Sequence, residues 1–138
     1  MLRSPLAASG TTLVLALCAS QTALAADYFV ATNGNDSNPG SESQPFQTIR
    51  HAVDAATSPG DTVYLRGGTY GGGWDNQLNP THSGTSGSPI TFAAYPGEVP
   101  ILDGSSLGEA SGVEPTSNAV QYVRFVGLVA RNWGTSGF

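Results

Sequence analysis

Apolar and polar residues alternate over Thr62–Arg66, with Val63 and Leu65 set between Thr62, Tyr64 and Arg66. A period of two predicts a short strand. Ile90-Thr91-Phe92-Ala93-Ala94 reads the same way, as does Val120–Ala130, where Val123 and Phe125 flank Arg124 ahead of Gly127. Tyr28-Phe29-Val30-Ala31 and Ile101-Leu102 are shorter apolar runs that also read as strands. One segment has another rhythm. Ile49, Ala52, Val53 and Ala56 follow the i, i+3, i+4, i+7 spacing of a single helical face, with Thr48 as N-cap and Ser58-Pro59-Gly60 as stop. Such a helix has little more than two turns and needs something to dock on. Turns are expected at Gly67-Gly68-Thr69-Tyr70, Pro96-Gly97 and Asp103-Gly104, and polar loops at Gly71–Ser88 and Ser105–Asn118.

The strand centres near Tyr64, Thr91 and Arg124 are roughly 27 and 33 residues apart, a spacing in the range of solenoid repeats. Each unit of strand, glycine-bearing turn and polar loop has too small an apolar row to bury alone, so neighbours must stack. A small β-sandwich is the rival arrangement, but it calls for denser strands and tight hairpin signals. The pattern therefore predicts an all-β fold, a β-solenoid with one short helix near its N-terminal end.

The first 25 residues belong to a different category. Arg3 supplies a positive start, Leu13–Ala19 an apolar run, and Ala23-Leu24-Ala25 small residues at the two positions a signal peptidase reads. This is the build of a secretory signal peptide cleaved after Ala25, and the apolar run is well short of the ~20 residues that span a bilayer. Residues 26–138 then form the folded domain, exported and free of cysteine, so core packing and hydrogen bonds must hold it. That part carries four arginines, no lysine and ten acids, a net charge of −6. Such a balance argues against nucleic acid and anionic membrane surfaces as partners.

Residues 33–42, NGNDSNPGSE, are rich in oxygen donors, yet no register of the loop matches calcium ligands at positions 1, 3 and 5 with Gly at 6 and Glu at 12. Their context carries a resemblance. Tyr28-Phe29-Val30, Asn33-Gly34-Asn35-Asp36 through Gly40, Pro45–Ile49, Ala52-Val53, Pro59–Tyr64 and Gly67–Tyr70 resemble the N-terminal cap and first coil of secreted right-handed parallel β-helix proteins. Within that group, Ser83–Phe92 followed by Tyr95-Pro96-Gly97 and Asp103-Gly104 is similar to pectate lyases of polysaccharide lyase family 9. The resemblance implies that NGNDSNPGSE joins the first strand to the capping helix. Asn, Asp and Gly suit such a loop because they tolerate left-handed backbone and bond their own main chain.

The resemblance further implies β-elimination of pectate by a lysine base, with calcium held by an aspartate cluster on later coils. Neither can be placed here. The chain has no lysine, and Asp36, Asp54, Asp61, Asp75, Asp103, Glu42, Glu98, Glu109 and Glu114 are scattered. No catalytic, substrate-binding or metal residue is therefore assigned; calcium is expected for the full-length parent and not within this chain. Among individual candidates, Asp103 reads as a turn residue, His51 as a solvated helix position and His82 as a loop residue. Tyr70, Trp74 and Trp133 offer faces for sugar stacking but suit loop anchoring better. Arg124 and Arg131 could pair a uronate carboxylate, although plain outward-facing surface charge suits them better.

Arg131–Phe138 ends on what looks like a turn into a further coil, without a polar cap. Natural solenoids cover such an edge. The expectation is the N-terminal part of a longer, secreted polysaccharide-degrading protein, most simply a calcium-dependent pectate lyase whose partner is an acidic plant cell-wall glycan. A non-catalytic carbohydrate-binding or adhesive β-helix is the alternative.

Overall fold

The computed structural model describes residues 24–108, 112–113 and 119–134. Most of the expected leader, Glu109, Glu114 and the last turn at 135–138 lie outside the described residues.

Strands β1 (Asp27–Val30), β2 (Thr62–Leu65), β4 (Ile90–Ala94) and β6 (Val123–Val126) form one four-stranded sheet in that order, every pair parallel. Strands β3 (Gly68–Tyr70), β5 (Pro100–Asp103) and β7 (Val129–Arg131) form a second parallel sheet. Each coil thus contributes one strand to each sheet: β2 then β3, β4 then β5, β6 then β7. Parallel neighbours require a crossover, and here the crossover is the rest of the coil. The architecture is the expected parallel β-solenoid.

Register aligns like with like. Tyr28, Val63, Phe92 and Phe125 lie side by side across four strands, and Val30 sits beside Leu65. These are the inward positions, and Val30, Val63, Leu65 and Phe92 are essentially inaccessible to solvent. Phe92 and Phe125 stack with ring centroids 5.9 Å apart. Each fully buried side chain of this size contributes about 1.5–3 kcal/mol, so the interior row is what holds the coils in register. Of the two outward rows, Asp27, Thr62, Thr91 and Arg124 form a polar one, and Phe29, Tyr64, Ala93 and Val126 an aromatic and apolar one.

The helix α1 (Ile49–Ala55) starts where the sequence places it. The Thr48 hydroxyl accepts from the His51 amide at 3.3 Å, and Ile49, Ala52 and Val53 are buried in the common core. His51 is exposed, as expected, with its ring edge against Phe46 at 4.6 Å.

Two readings need correction. Gly67–Tyr70 was expected to be only a turn, but Gly68–Tyr70 is strand β3. Its first residue has φ +140°, open to glycine, and its pairing partners lie a whole coil away at Pro100–Leu102. The run Val120–Ala130, read as one strand, is two strands in different sheets. Gly127, at φ +68°, turns the chain between them.

Candidate functional site

The NGNDSNPGSE loop is built from its own polar groups. The Asn35 side chain accepts from the Ser37 amide at 2.8 Å, and Asn38 donates to the Pro45 carbonyl at 2.9 Å. Asp36 reaches furthest: its carboxylate accepts from the amides of Gln47 and Thr48 at 2.8 and 2.9 Å and from the Thr48 hydroxyl at 2.8 Å. Burial pushes this carboxyl up, but the bonds from Thr48 and Gln47, with His51 nearby, outweigh it and hold the group below its usual range. The loop's one aspartate is committed to the helix entry.

Beyond β3, Gly72 and Gly73 at φ +90° and +132° lead into a short 3-10 turn, Trp74–Asn76. Asn76 fixes that turn, donating to the Gly71 carbonyl at 2.8 Å and accepting from the Ile49 amide at 3.4 Å. A cleft of about 280 Å³ opens here, lined by Thr32, Gln47, Thr69 and Asp75 among others. Hydroxyl, amide and carboxylate groups of this kind match the donors and acceptors of a sugar ring. Trp74 beside it is 61% exposed, a free aromatic face.

The other aromatic candidates are used up. Tyr70 is buried, and the one proton of its hydroxyl is shared between the carbonyls of Val30 and Arg66, 3.0 and 2.8 Å away, so it presents no stacking face. Burial pushes its phenol well above the ordinary tyrosine range. Trp133 packs on Gly104 and donates to the Leu102 carbonyl at 3.0 Å, anchoring the last coil. Both follow the loop-anchor reading.

A second cleft, of about 340 Å³, is lined by Asn33, Glu42, Ser43, Arg66 and Glu98 among others. Its charges are spent internally. Arg66 grips Glu98 with both Nε and Nη2, the latter at 2.8 Å, and lies 4.3 Å over the Tyr95 ring. Tyr95 bonds Glu42 in turn. Arg66 and the Gly67 amide hold the Glu98 carboxyl below its usual range. No sequence signal singled out this cluster, because Glu42, Arg66 and the Tyr95–Glu98 turn are distant in the chain and adjacent only after coiling.

Arg131 is paired as well, its Nε 2.8 Å from Asp103. Asp103 also accepts from Asn132 and from the Ser105 amide; these bonds, Asn132 foremost, hold its carboxyl far below the usual range. Asp103 is the last residue of β5 and not itself in the turn; its carboxylate bonds the turn that follows through Ser105 and the next coil through Arg131 and Asn132. Arg50 pairs Asp54 along the helix. Among the described residues Arg124 is the arginine with no ion-pair partner, and it is exposed on the outer row of β6 beside Thr91.

Calcium wants six to eight oxygen ligands. Among the described residues no three metal-ligating side chains come together. The two aspartates richest in neighbours, Asp36 and Asp103, are surrounded by N–H and O–H donors that a cation would have to displace. The described residues do not fit the ion. His82, beside the Thr81 hydroxyl at 2.9 Å, belongs to no such group either.

Comparison with known proteins agrees with this geometry. The family profile described as "Pel9A-like, right handed beta helix region" matches residues 28–138. A protein of Emericella nidulans named pectate lyase PEL9 is 46% identical over 84 residues, covering 61% of this chain and 20% of that protein. Pectate lyase L of Paenibacillus polymyxa is 42% identical over 88 residues, covering 64% and 19%. The crystal structure of pectate lyase Pel9A superposes with a TM-score of 0.60 at 30% identity, over 78% of this chain and 28% of that one. A lacto-N-biosidase from Eubacterium ramulus shares the fold, with a TM-score of 0.66 at 24% identity over 82% of this chain and 21% of that one. The chain spans about a fifth of the length of the curated relatives it matches. Coil geometry, register and family profile coincide over the same residues, and the chain belongs to the Pel9A-like right-handed β-helix family.

Proposed function

We propose that the protein containing this chain is a secreted pectate lyase, cleaving acidic plant cell-wall polysaccharide by calcium-dependent β-elimination. Residues 1–25 direct its export and are removed after Ala25. Residues 26–138 form the N-terminal cap and first coils, on which catalytic coils stack. The observation that carries this reading is the 46% identity to a protein named pectate lyase PEL9, of which the chain covers 20%.

The chain's own contribution is structural. It has no lysine, and among the described residues no cluster of metal ligands, so the base and the calcium ligands are assigned to other coils. What the described residues of these coils offer substrate is one cation outside any ion pair, Arg124, whose fork matches a uronate carboxylate. The test is depolymerisation by the full-length protein of polygalacturonate and of a neutral glycan, with and without a calcium chelator. Cleavage of the acidic polymer alone, abolished by chelator, supports the reading. Cleavage of the neutral polymer, or indifference to chelator, contradicts it.

Trp74 favours a second reading, glycan contact without cleavage, because its exposed ring stands beside a polar cleft and can stack on the face of a sugar. Retention on immobilised glycan with no new chain ends would select it.

A further inference from the structure

Asp61 is 2% exposed, the most deeply buried acid among the described residues. One carboxylate oxygen accepts from the Ser58 amide and the other from the Ala26 backbone nitrogen, both at 2.9 Å. No described arginine or histidine lies within ion-pair distance of it. A buried carboxylate satisfied by two neutral N–H groups still lacks a counter-charge, and such a charge is costly to leave unpaired. Meanwhile the Ala26 carbonyl accepts from the Thr62 amide at 2.9 Å, so both ends of Ala26 are tied to the first coil next to Asp61. Ala25 and Leu24, immediately upstream, are exposed.

Resting on the reading that export removes residues 1–25, we propose that the counter-charge of Asp61 is the α-ammonium of Ala26, created by processing. Water adds across the Ala25–Ala26 peptide bond under a signal peptidase. Its oxygen joins the Ala25 carbonyl carbon, which leaves as a carboxylate. The Ala26 nitrogen, having lost its bond to carbon, takes up two protons and becomes –NH3+. That nitrogen already stands at hydrogen-bond distance from Asp61, so the neutral N–H···O bond becomes an ion pair with no movement of the chain. The precursor and the processed chain then share one fold but differ at its first strand. In the processed form β1 is pinned to β2 by a charge pair at its entry as well as by its ladder.

The ammonium must be Ala26's own, because one added residue moves the charge about 3.8 Å away along the chain. Residues 26–138 hold no lysine, so in the N-terminal peptide released at Arg50 the α-amine is the sole amine.

The full-length protein is secreted from its host, its N-terminus is sequenced, and acylation of that terminus by an amine-selective reagent is timed by peptide mass spectrometry. It is compared with Asp61→Asn and with a Gly-Ser extension ahead of Ala26, which leaves Asp61 intact should the point variant fail to fold. We expect Ala26 as first residue, acylated at least about tenfold more slowly than the extended form, and a melting temperature about 5 °C above it. A first residue other than Ala26 overturns the leader reading, and this inference with it. Ala26 in first place, but acylated as fast as the extended terminus and with no difference in melting, overturns the Asp61 pairing alone.

Discussion

Replacing Asp36 by alanine separates the two things an oxygen-rich loop can be. In the structure its carboxylate accepts three hydrogen bonds, from Gln47, Thr48 and the Thr48 hydroxyl that also caps α1. A hydrogen bond to a charged group contributes about 1.5–3 kcal/mol. The three share one partly exposed carboxylate, and water can replace some of what is lost. We therefore expect Asp36→Ala to cost about 2–3 kcal/mol in all. For a domain of this size that is a fall of about 6–12 °C in melting temperature, read by circular dichroism. The pH dependence has a fixed sign. The folded carboxyl is held below its usual range, so its contribution is complete above about pH 4 and is lost as pH falls through the lower folded value. The gap between wild type and variant should be full at pH 6 and close in strong acid. Equal melting at pH 6 would refute the reasoning. So would a calcium-dependent rise in the wild type that Asp36→Ala abolishes, because the loop would then be holding a metal and not a helix.

Four further outcomes follow from the same geometry. Tyr70→Phe should lower stability by about 1–2 kcal/mol, measured by urea unfolding, since the two carbonyls that share the buried hydroxyl's proton lose that donor. Gly104→Ala places a methyl group against the Trp133 indole; it should cost about 1–3 kcal/mol and shift tryptophan emission to the red in a Trp74→Phe background. Trp74→Ala should leave melting within about 1 °C, yet weaken glycan retention about three- to tenfold on affinity electrophoresis. Arg124→Gln should be retarded less by polygalacturonate and equally by a neutral glycan, each mobility taken relative to a glycan-free gel because the variant carries one more net negative charge.

Much of the fold was legible because the interior row repeats. Ile90–Ala94 is a strand at the residues its alternation marks, and Val63 with Leu65 faces inward as period two requires. The Thr48 cap was legible too, since capping is local chemistry. What escaped is what depends on the neighbouring coil. Gly68–Tyr70 has two residues' worth of alternation and a glycine opening, and it becomes a strand only by bonding Pro100–Leu102. Tyr70 reads from sequence as an anchor, but nothing local says that its hydroxyl will meet Val30 forty residues upstream. The Val120–Ala130 run hid a corner because its one signal, Gly127, also suits the end of a single strand.

The candidate site was legible only in part, for the same reason. Trp74 and Arg124 could be named from sequence, one for its face and one for its charge. That Arg66, Arg131 and Arg50 would each find an acid, leaving Arg124 without one, could not, because two of those three pairings span a full coil. Asp61 gave no warning either: in Pro59-Gly60-Asp61 it reads as one more turn residue, and only its burial against Ala26 shows otherwise.

The central claim is that these coils begin an eliminating enzyme, and the chemistry of the new chain end tests it most directly. The full-length secreted protein is incubated with polygalacturonate and calcium, and the released oligosaccharides are weighed by mass spectrometry. β-Elimination predicts an unsaturated uronide at each new non-reducing end, lighter by one water than the product of hydrolysis. Saturated ends would contradict the account, as would a polymer left intact.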